Sequence, residues 1–325
     1  MGLFVECQEV GGPEVMKLKE REAPSPGPGE VLIRHSAIGI NFIDVYFRTG
    51  VYPAPSTPFT PGMEGAGEVI ALGDGVDLFK VGDRVAYAAP PIGAYAAERV
   101  IEAQKLVAIP DGVDDQTAAA MMLKGMTARY LLRDTFRVEK GHTILFHAAA
   151  GGVGLIAGQW AKALGATVIG TAGSAEKIEL AKANGYDHVI NYREEDFVER
   201  VMEVTDGKKC DVVYDSVGKD TFPGSLDCLK PHGLWASFGQ SSGVLPEVNL
   251  GILAQKGSLF ATRPTLFNYV AERHELEANA ADLFSVVENG TVNIAVNNKY
   301  DLSDVATAHS DLEGRKTVGS SLLIP

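Results

Sequence analysis

Near residue 125 this chain of 325 residues changes rhythm, and that change constrains its fold more than any other feature. From there on, short apolar runs bounded by turn residues alternate with helical stretches about a dozen residues long, the signature of successive βαβ units. The predicted strands are Thr143 to Ala148, Thr167 to Thr171, His188 to Asn191, Asp211 to Asp215 and Gly233 to Phe238, with Gly257 to Thr262 as a sixth. Periodicity predicts helices over Val153 to Leu164, Ala175 to Asn184, Glu194 to Thr205 and Thr221 to Leu229, with Gly165 and Gly185 suited to C-cap positions. The expected product is an α/β domain with a parallel, doubly wound sheet.

The first strand runs into Ala149-Ala150-Gly151-Gly152-Val153-Gly154, and a helix starts at once. That is a dinucleotide fingerprint in its required strand, turn and helix context, which makes the domain a Rossmann fold. Gly151 lets backbone approach a pyrophosphate, Gly154 lets helix and strand pack closely, and the helix N-terminus supplies N–H groups and a partial positive charge. Ala149 stands where the first glycine usually is. A site selective for NAD carries an acid about 20 positions beyond the loop. Here the second strand ends in Thr171-Ala172-Gly173-Ser174-Ala175-Glu176-Lys177. Gly173 and Ser174 leave room and donors for a 2′-phosphate, and Lys177 adds charge, so NADPH is the expected cofactor. Glu176, just inside a helix, is expected to face solvent. Tyr192 reads equally well as closing this pocket or as an ordinary half-buried tyrosine.

Ahead of residue 125 the texture is short apolar runs between Gly, Pro and Asp turns, as in Pro24 to Gly29 followed by Glu30 to Arg34, indicating a small, irregular, β-rich domain. After residue 263 come a helical stretch, Tyr269 to Asn289, and a β-like tail ending Val318 to Ile324. No apolar run reaches the roughly 18 residues of a membrane span, so the chain reads as soluble and cytoplasmic. The net charge of −13 repels phosphate backbones, and no basic stripe suggests a nucleic-acid partner. Cys7, Cys210 and Cys228 fit neither a disulfide framework nor a metal clip and are expected to be buried free thiols. His147, beside the phosphate loop, is expected to pack or to bond to backbone, since no nucleophilic serine elbow accompanies it.

Four motifs in order, Gly39 to Asp44, Pro61 to Gly67, Val81 to Val85 and Ala148 to Gly154, resemble the medium-chain dehydrogenase/reductase superfamily over essentially the whole chain. Within it the sequence is similar to the zinc-free quinone oxidoreductase branch that includes zeta-crystallin. The resemblance implies a GroES-like catalytic domain over residues 1–124, rejoined by 264–325, and an NADPH-binding Rossmann domain over 125–263. Zinc-dependent relatives place metal ligands where Asn41, Met63 and Leu123 stand here. Asparagine, thioether and leucine make no tetrahedral zinc site, so no metal is expected. Glu64 is expected to hold nearby backbone or an arginine. The resemblance also implies that Phe238, Gly239, Ser241, Arg263 and Lys316 flank the cofactor. Their generic alternatives are turn glycines, a serine cap and surface cations.

Hydride addition to a quinone or enone builds negative charge on a carbonyl oxygen, and without zinc hydrogen-bond donors must stabilise it. Asn41, Tyr46 and Tyr52 are the candidates, on the loop that the family folds over the nicotinamide; alternatively Asn41 caps a turn and the tyrosines only pack. The expected activity is that of a zinc-independent NADPH:quinone reductase acting on a small apolar acceptor. An alkenal or enone double-bond reductase and a non-catalytic NADPH-responsive binder are the competing functions. A homodimer is expected, formed by pairing of the Gly257 to Thr262 edge, with Val248 to Leu253 lining the interface.

Overall fold

The computed structural model describes residues 2–325, which divide into two compact units. One comprises residues up to Met126 with Val270–Glu288 and Ile294–Pro325; the other comprises Thr127–Tyr269 with Asn289–Asn293. Residues 264–269 and 289–293, expected with the first domain, thus cluster with the second.

The second unit is built on a six-stranded sheet whose spatial order is His188–Asn191, Thr167–Ala172, Thr143–Phe146, Cys210–Asp215, Leu229–Ser237 and Phe260–Thr262. Every neighbouring pair is parallel. Counted along the chain the order is 3-2-1-4-5-6, that of a Rossmann sheet, with its switch point at the strand that feeds the phosphate loop. Leu145, Ile169, Val213 and Trp235 are buried in its core. The local chemistry explains where elements depart from the periodicity. Asp196 accepts the N–H groups of Val198 and Glu199 at 2.8 and 3.2 Å, so its helix is Phe197–Val204 and does not begin at Glu194. Only Gly224–Asp227 of the expected helix Thr221 to Leu229 is helical: the Thr221 hydroxyl is committed to Asp215, and Leu229 already belongs to a strand. The sixth strand shrinks to Phe260–Thr262 because the N–H groups of Gly257 and Ser258 go back to the Ala254 carbonyl, closing the helix Gly251–Gln255.

In the first unit a seven-stranded sheet runs Val296–Asp301, Ser320–Ile324, Glu30–Ile40, Glu64–Leu72, Arg84–Ala88 and Val107–Ala108, with Glu98–Glu102 also on Glu30–Ile40. The C-terminal strand pairs antiparallel with the end of Glu30–Ile40, so the tail completes this sheet. A hairpin-like pair, Gly2–Cys7 with Met16–Arg21, stands apart from it. The β-rich expectation needs an addition, since helices Phe42–Thr49, Asp115–Tyr130 and Val305–Glu313 also belong here, the last turn of Asp115–Tyr130, beyond Met126, excepted. Of the stretch Tyr269 to Asn289, Arg273–Glu288 is helical, and a separate short helix, Leu266–Tyr269, ends where the stretch begins. Among the described residues no helix is long and apolar enough to cross a membrane. All three cysteines are buried free thiols, and burial pushes Cys7 up to about 11 and Cys210 up to about 12.

Candidate active site

The phosphate loop is shaped by backbone. Ala148 takes a left-handed φ of 56°, the Ala149 N–H donates to the Thr171 carbonyl at 3.0 Å, and the helix Gly152–Ala163 starts behind Gly151 as N-cap. A Cβ on Gly154 would lie 2.5 Å from the Ala148 carbonyl oxygen and 2.6 Å from that of Ala149, so no larger residue lets this helix approach its strand. The helix's first N–H groups, those of Gly152, Val153 and Gly154, have no acceptor within the helix and make a cradle for a dianionic bridge. Residues 151–153 are half-buried, which suits a cradle open to a ligand.

At the end of the neighbouring strand, a Cβ on Gly173 would meet the Tyr192 hydroxyl at 2.5 Å, so that hydroxyl lies directly over Gly173. Ser174 caps the helix Ala175–Ala183 by accepting the Lys177 N–H at 3.4 Å, which leaves its own O–H to donate. Lys177 is half-buried and Glu176 exposed. Further along the sheet, Phe238 packs on Phe146 with centroids 5.6 Å apart, and the Gly239 and Ser241 N–H groups fold back on the carbonyls of Asp215 and Ser216. Arg263 donates Nη1 to the Ser237 carbonyl at 2.7 Å. Lys316, in the first unit, is an exposed residue whose Nζ is 3.1 Å from Asp311.

His147 does not bond to backbone through its ring. Its Nδ1 is 3.0 Å from the Thr171 hydroxyl and its Nε2 3.0 Å from that of Ser225, which in turn donates to Asp215 at 2.9 Å. Burial holds the imidazole below its ordinary range. Burial works against the charge of Asp215, but the nearby His147 and the donors of Gly218, Thr221 and Val217 hold its carboxyl low. All three side chains are fully buried, so this chain of groups ties the sheet together and offers no nucleophile.

In the first unit Asn41 caps a helix, not a turn. Its own N–H donates to Asp44 Oδ2 at 2.9 Å, and its side-chain Nδ2 donates to Glu64 Oε2 at 2.7 Å. Glu64, fully buried, also accepts the Leu123 N–H at 2.7 Å on Oε1 and the Lys124 ammonium at 3.2 Å on Oε2. Glu64 thus holds backbone, as expected, and its cation is a lysine. Tyr46 lies within the helix Phe42–Thr49 and Tyr52 just after it, so the expected loop is a helix and its exit. Their rings meet edge-on at 5.2 Å, and the Tyr52 N–H donates to the Tyr46 carbonyl at 3.0 Å. Phe42 and Phe47 complete a half-buried aromatic group.

Behind Asn41 lies a buried relay. Tyr95 donates to Asp44 Oδ2 at 3.0 Å, which leaves Nε2–H of His309 to donate to the Tyr95 oxygen at 2.8 Å and Nδ1 to accept from Arg48 Nη1 at 3.4 Å. Arg48 also pairs with Glu313 at 2.8 Å. Asp44 Oδ1 has no partner in the structure, and burial lifts the Asp44 carboxyl to about 7 against the pull of the Asn41 N–H and Tyr95.

Two family models match the chain: the alcohol dehydrogenase GroES-like domain over residues 27–140 and the zinc-binding dehydrogenase over residues 152–284. A quinone oxidoreductase of Pseudomonas aeruginosa is 55% identical over 325 residues, all of both chains. The chain belongs to the quinone oxidoreductase branch of the medium-chain dehydrogenase/reductase superfamily. The solved Escherichia coli quinone oxidoreductase complexed with NADPH aligns with a TM-score of 0.98 at 51% identity, over 99% of this chain and 100% of that one. A 2-haloacrylate reductase of a Burkholderia species is 46% identical over 97% of this chain and 96% of its own.

Because the second family model is named for zinc, the fit of this branch member to the metal matters. The amide of Asn41 is committed to Glu64, Met63 is a buried thioether, and Leu123 offers an N–H where a lone pair is needed. An ammonium already neutralises the nearest carboxylate. This donor set does not fit tetrahedral zinc. Sequence reasoning passed over Lys124, although a lone charge in the apolar run Ala118 to Met126 is the signal that marks it.

Proposed function

We propose that this branch member is an NADPH-dependent quinone oxidoreductase that works without zinc, in the cytoplasm. What carries the reading is the likeness to a quinone oxidoreductase solved with NADPH, joined to a phosphate cradle shaped by Gly151 and Gly154. Bound NADPH supplies hydride. The N–H groups of Gly152, Val153 and Gly154 hold the pyrophosphate, with Ala149 and Gly151 shaping the turn, and Gly173, Ser174, Lys177 and Tyr192 receive the 2′-phosphate. Phe238, Gly239, Ser241, Arg263 and Lys316 flank the rest of the cofactor. Asn41, Tyr46 and Tyr52 orient the acceptor carbonyl and donate to its oxygen as charge develops. A quinone becomes aromatic on reduction, so orientation and exclusion of water supply most of the rate.

The 2-haloacrylate reductase among the relatives favours a second reading, reduction of an activated double bond. Steady-state NADPH oxidation with 1,4-naphthoquinone, benzoquinone and a set of alkenals separates the two, because the ratio of kcat/KM values reports differential transition-state binding. The proposal expects the quinones to lead; alkenals in the lead would replace it with the second reading.

Cofactor choice gives a direct test. Lys177→Ala is expected to weaken NADPH binding by roughly tenfold to a hundredfold, the worth of one charge-assisted bond of about 1.5 to 3 kcal/mol, and to leave NADH nearly unchanged. Equal affinity of the parent for both cofactors in fluorescence titration contradicts the assignment.

We also infer a homodimer. The strand Phe260–Thr262 pairs on one side only, and Phe260 is 63% exposed, Val244 65% and Leu250 74%. An unprotected edge with apolar side chains suits pairing with a second copy about a two-fold axis. The helix Arg273–Glu288 is anchored in the first unit through Arg273 on the Gln104 carbonyl at 3.0 Å. Light scattering is expected to give a dimer mass for the parent and a monomer for Phe260→Lys; a dimer in both places the contact elsewhere.

A further inference from the structure

We propose that Lys124 is a positioning residue of the reaction: through Glu64 it fixes the amide of Asn41. The inference rests on the reading that Asn41 orients the acceptor. Glu64 has no contact with water, and three donors from two elements converge on it: the Asn41 amide at the start of Phe42–Thr49, and the Leu123 N–H and Lys124 ammonium within Asp115–Tyr130. The seat for the carboxylate is tight, since a Cβ on Gly39 would lie 2.1 Å from Glu64 Oε2 and 2.5 Å from the Ala119 carbonyl oxygen.

Lys124 and Asn41 share one oxygen, Oε2, at 3.2 and 2.7 Å. Lys124, itself 7% exposed, is the cation that bonds to this buried carboxyl group. While Glu64 is a carboxylate it is an acceptor only, so Asn41 must turn its Nδ2 inward and has one orientation. Take the ammonium away and Oε2 loses one of its two donors, so the Asn41 amide alone fixes where that oxygen lies. The Asn41 amide then follows a carboxyl group that can turn, and its own orientation is no longer fixed. The lysine's field reaches the next carboxyl too, drawing Asp44 down against the burial that lifts it. Zinc-dependent relatives anchor this region with a metal; in this chain the cation is carried on a side chain.

The test compares Lys124→Met, Lys124→Arg and the pair Lys124→Met with Glu64→Gln, measuring kcat and KM with 1,4-naphthoquinone, NADPH affinity by fluorescence, and the side-chain amide resonances of Asn41 by NMR. Lys124→Met is expected to lower kcat by roughly tenfold to a hundredfold while NADPH affinity stays within about twofold, and to shift or split the Asn41 amide signals. Lys124→Arg should restore most of the rate. The double variant should regain thermal stability, its buried charge being gone, and remain slow. Lys124→Met with a lower Tm, the parent's kcat and unmoved amide signals overturns the proposal. If Lys124→Met does not fold, the double variant decides: the parent's kcat there overturns it equally. Should the parent reduce no quinone, the functional reading falls, and the amide resonances still report whether Lys124 holds Asn41.

Discussion

Acidification from pH 7 towards pH 4.5 is expected to remove roughly 2 kcal/mol or more of the protein's stability, a sizeable share of what a folded chain possesses. His35, His147 and His309 are buried and bonded as neutral imidazoles. Burial lowers His35 to about 4 and His309 to about 3, with the Arg48 charge adding to the shift in His309, and burial lowers His147 as well. In the unfolded chain each takes up a proton near pH 6.5, so for His35 and His309 the unfolded state binds the extra protons between about 4 and 6.5 and stability falls as pH falls, with His147 adding to the fall in the same direction. Asp44 acts in the opposite sense. Its folded value of about 7 lies above the unfolded 3.8, so within the same window the folded state holds its proton and acid relieves a burden. His35 and His309 outweigh the one carboxyl by one proton, a slope of roughly 1.4 kcal/mol per pH unit to which His147 adds. Urea unfolding at successive pH values measures it. Asp44→Asn should steepen the dependence by about one proton, whereas a parent curve flat from pH 7 to 4.5 contradicts the assignment of buried neutral imidazoles.

Gly154→Ala is expected to weaken NADPH binding by about a hundredfold or more and to lower folding stability by about 1 to 3 kcal/mol. The methyl group enters within 2.6 Å of two carbonyl oxygens, and neither can retreat freely. The Ala149 N–H is tied to Thr171, and the Gly154 carbonyl accepts the Tyr186 hydroxyl at 2.7 Å. The helix must therefore move away from its strand and carry its N–H cradle with it, losing about two charge-assisted bonds to the pyrophosphate. Fluorescence titration with NADPH and a thermal melt read both effects. A folded variant with the parent's affinity would mean that this loop does not hold the cofactor.

The nucleotide-binding half of the fold was legible because each of its signals is local. The strand His188–Asn191 was bounded by its own turn residues, and Gly165 and Gly185, expected as caps, take φ of 85° and 94°. The first unit was less legible for two physical reasons. The helix Asp115–Tyr130 buries Ala118 to Met122 together with Met126, Ala128 and Tyr130, so it is apolar on several sides and shows no helical period. The helix Phe42–Thr49 is two turns of branched and aromatic residues whose start depends on the Asn41 cap. Site residues divide the same way. Glycines that backbone geometry demands announce themselves, whereas Lys124 acquires its meaning only from Glu64, sixty positions away. The Asp44, Tyr95, His309 and Arg48 relay joins three distant segments and left no trace in local pattern.

The central claim, quinone reduction by NADPH without zinc, is tested most directly by turnover of 1,4-naphthoquinone before and after prolonged chelation, with the metal content of both samples measured. The account predicts the same kcat/KM in both and zinc well below one atom per chain. Activity that disappears with the chelator and returns with added zinc contradicts it.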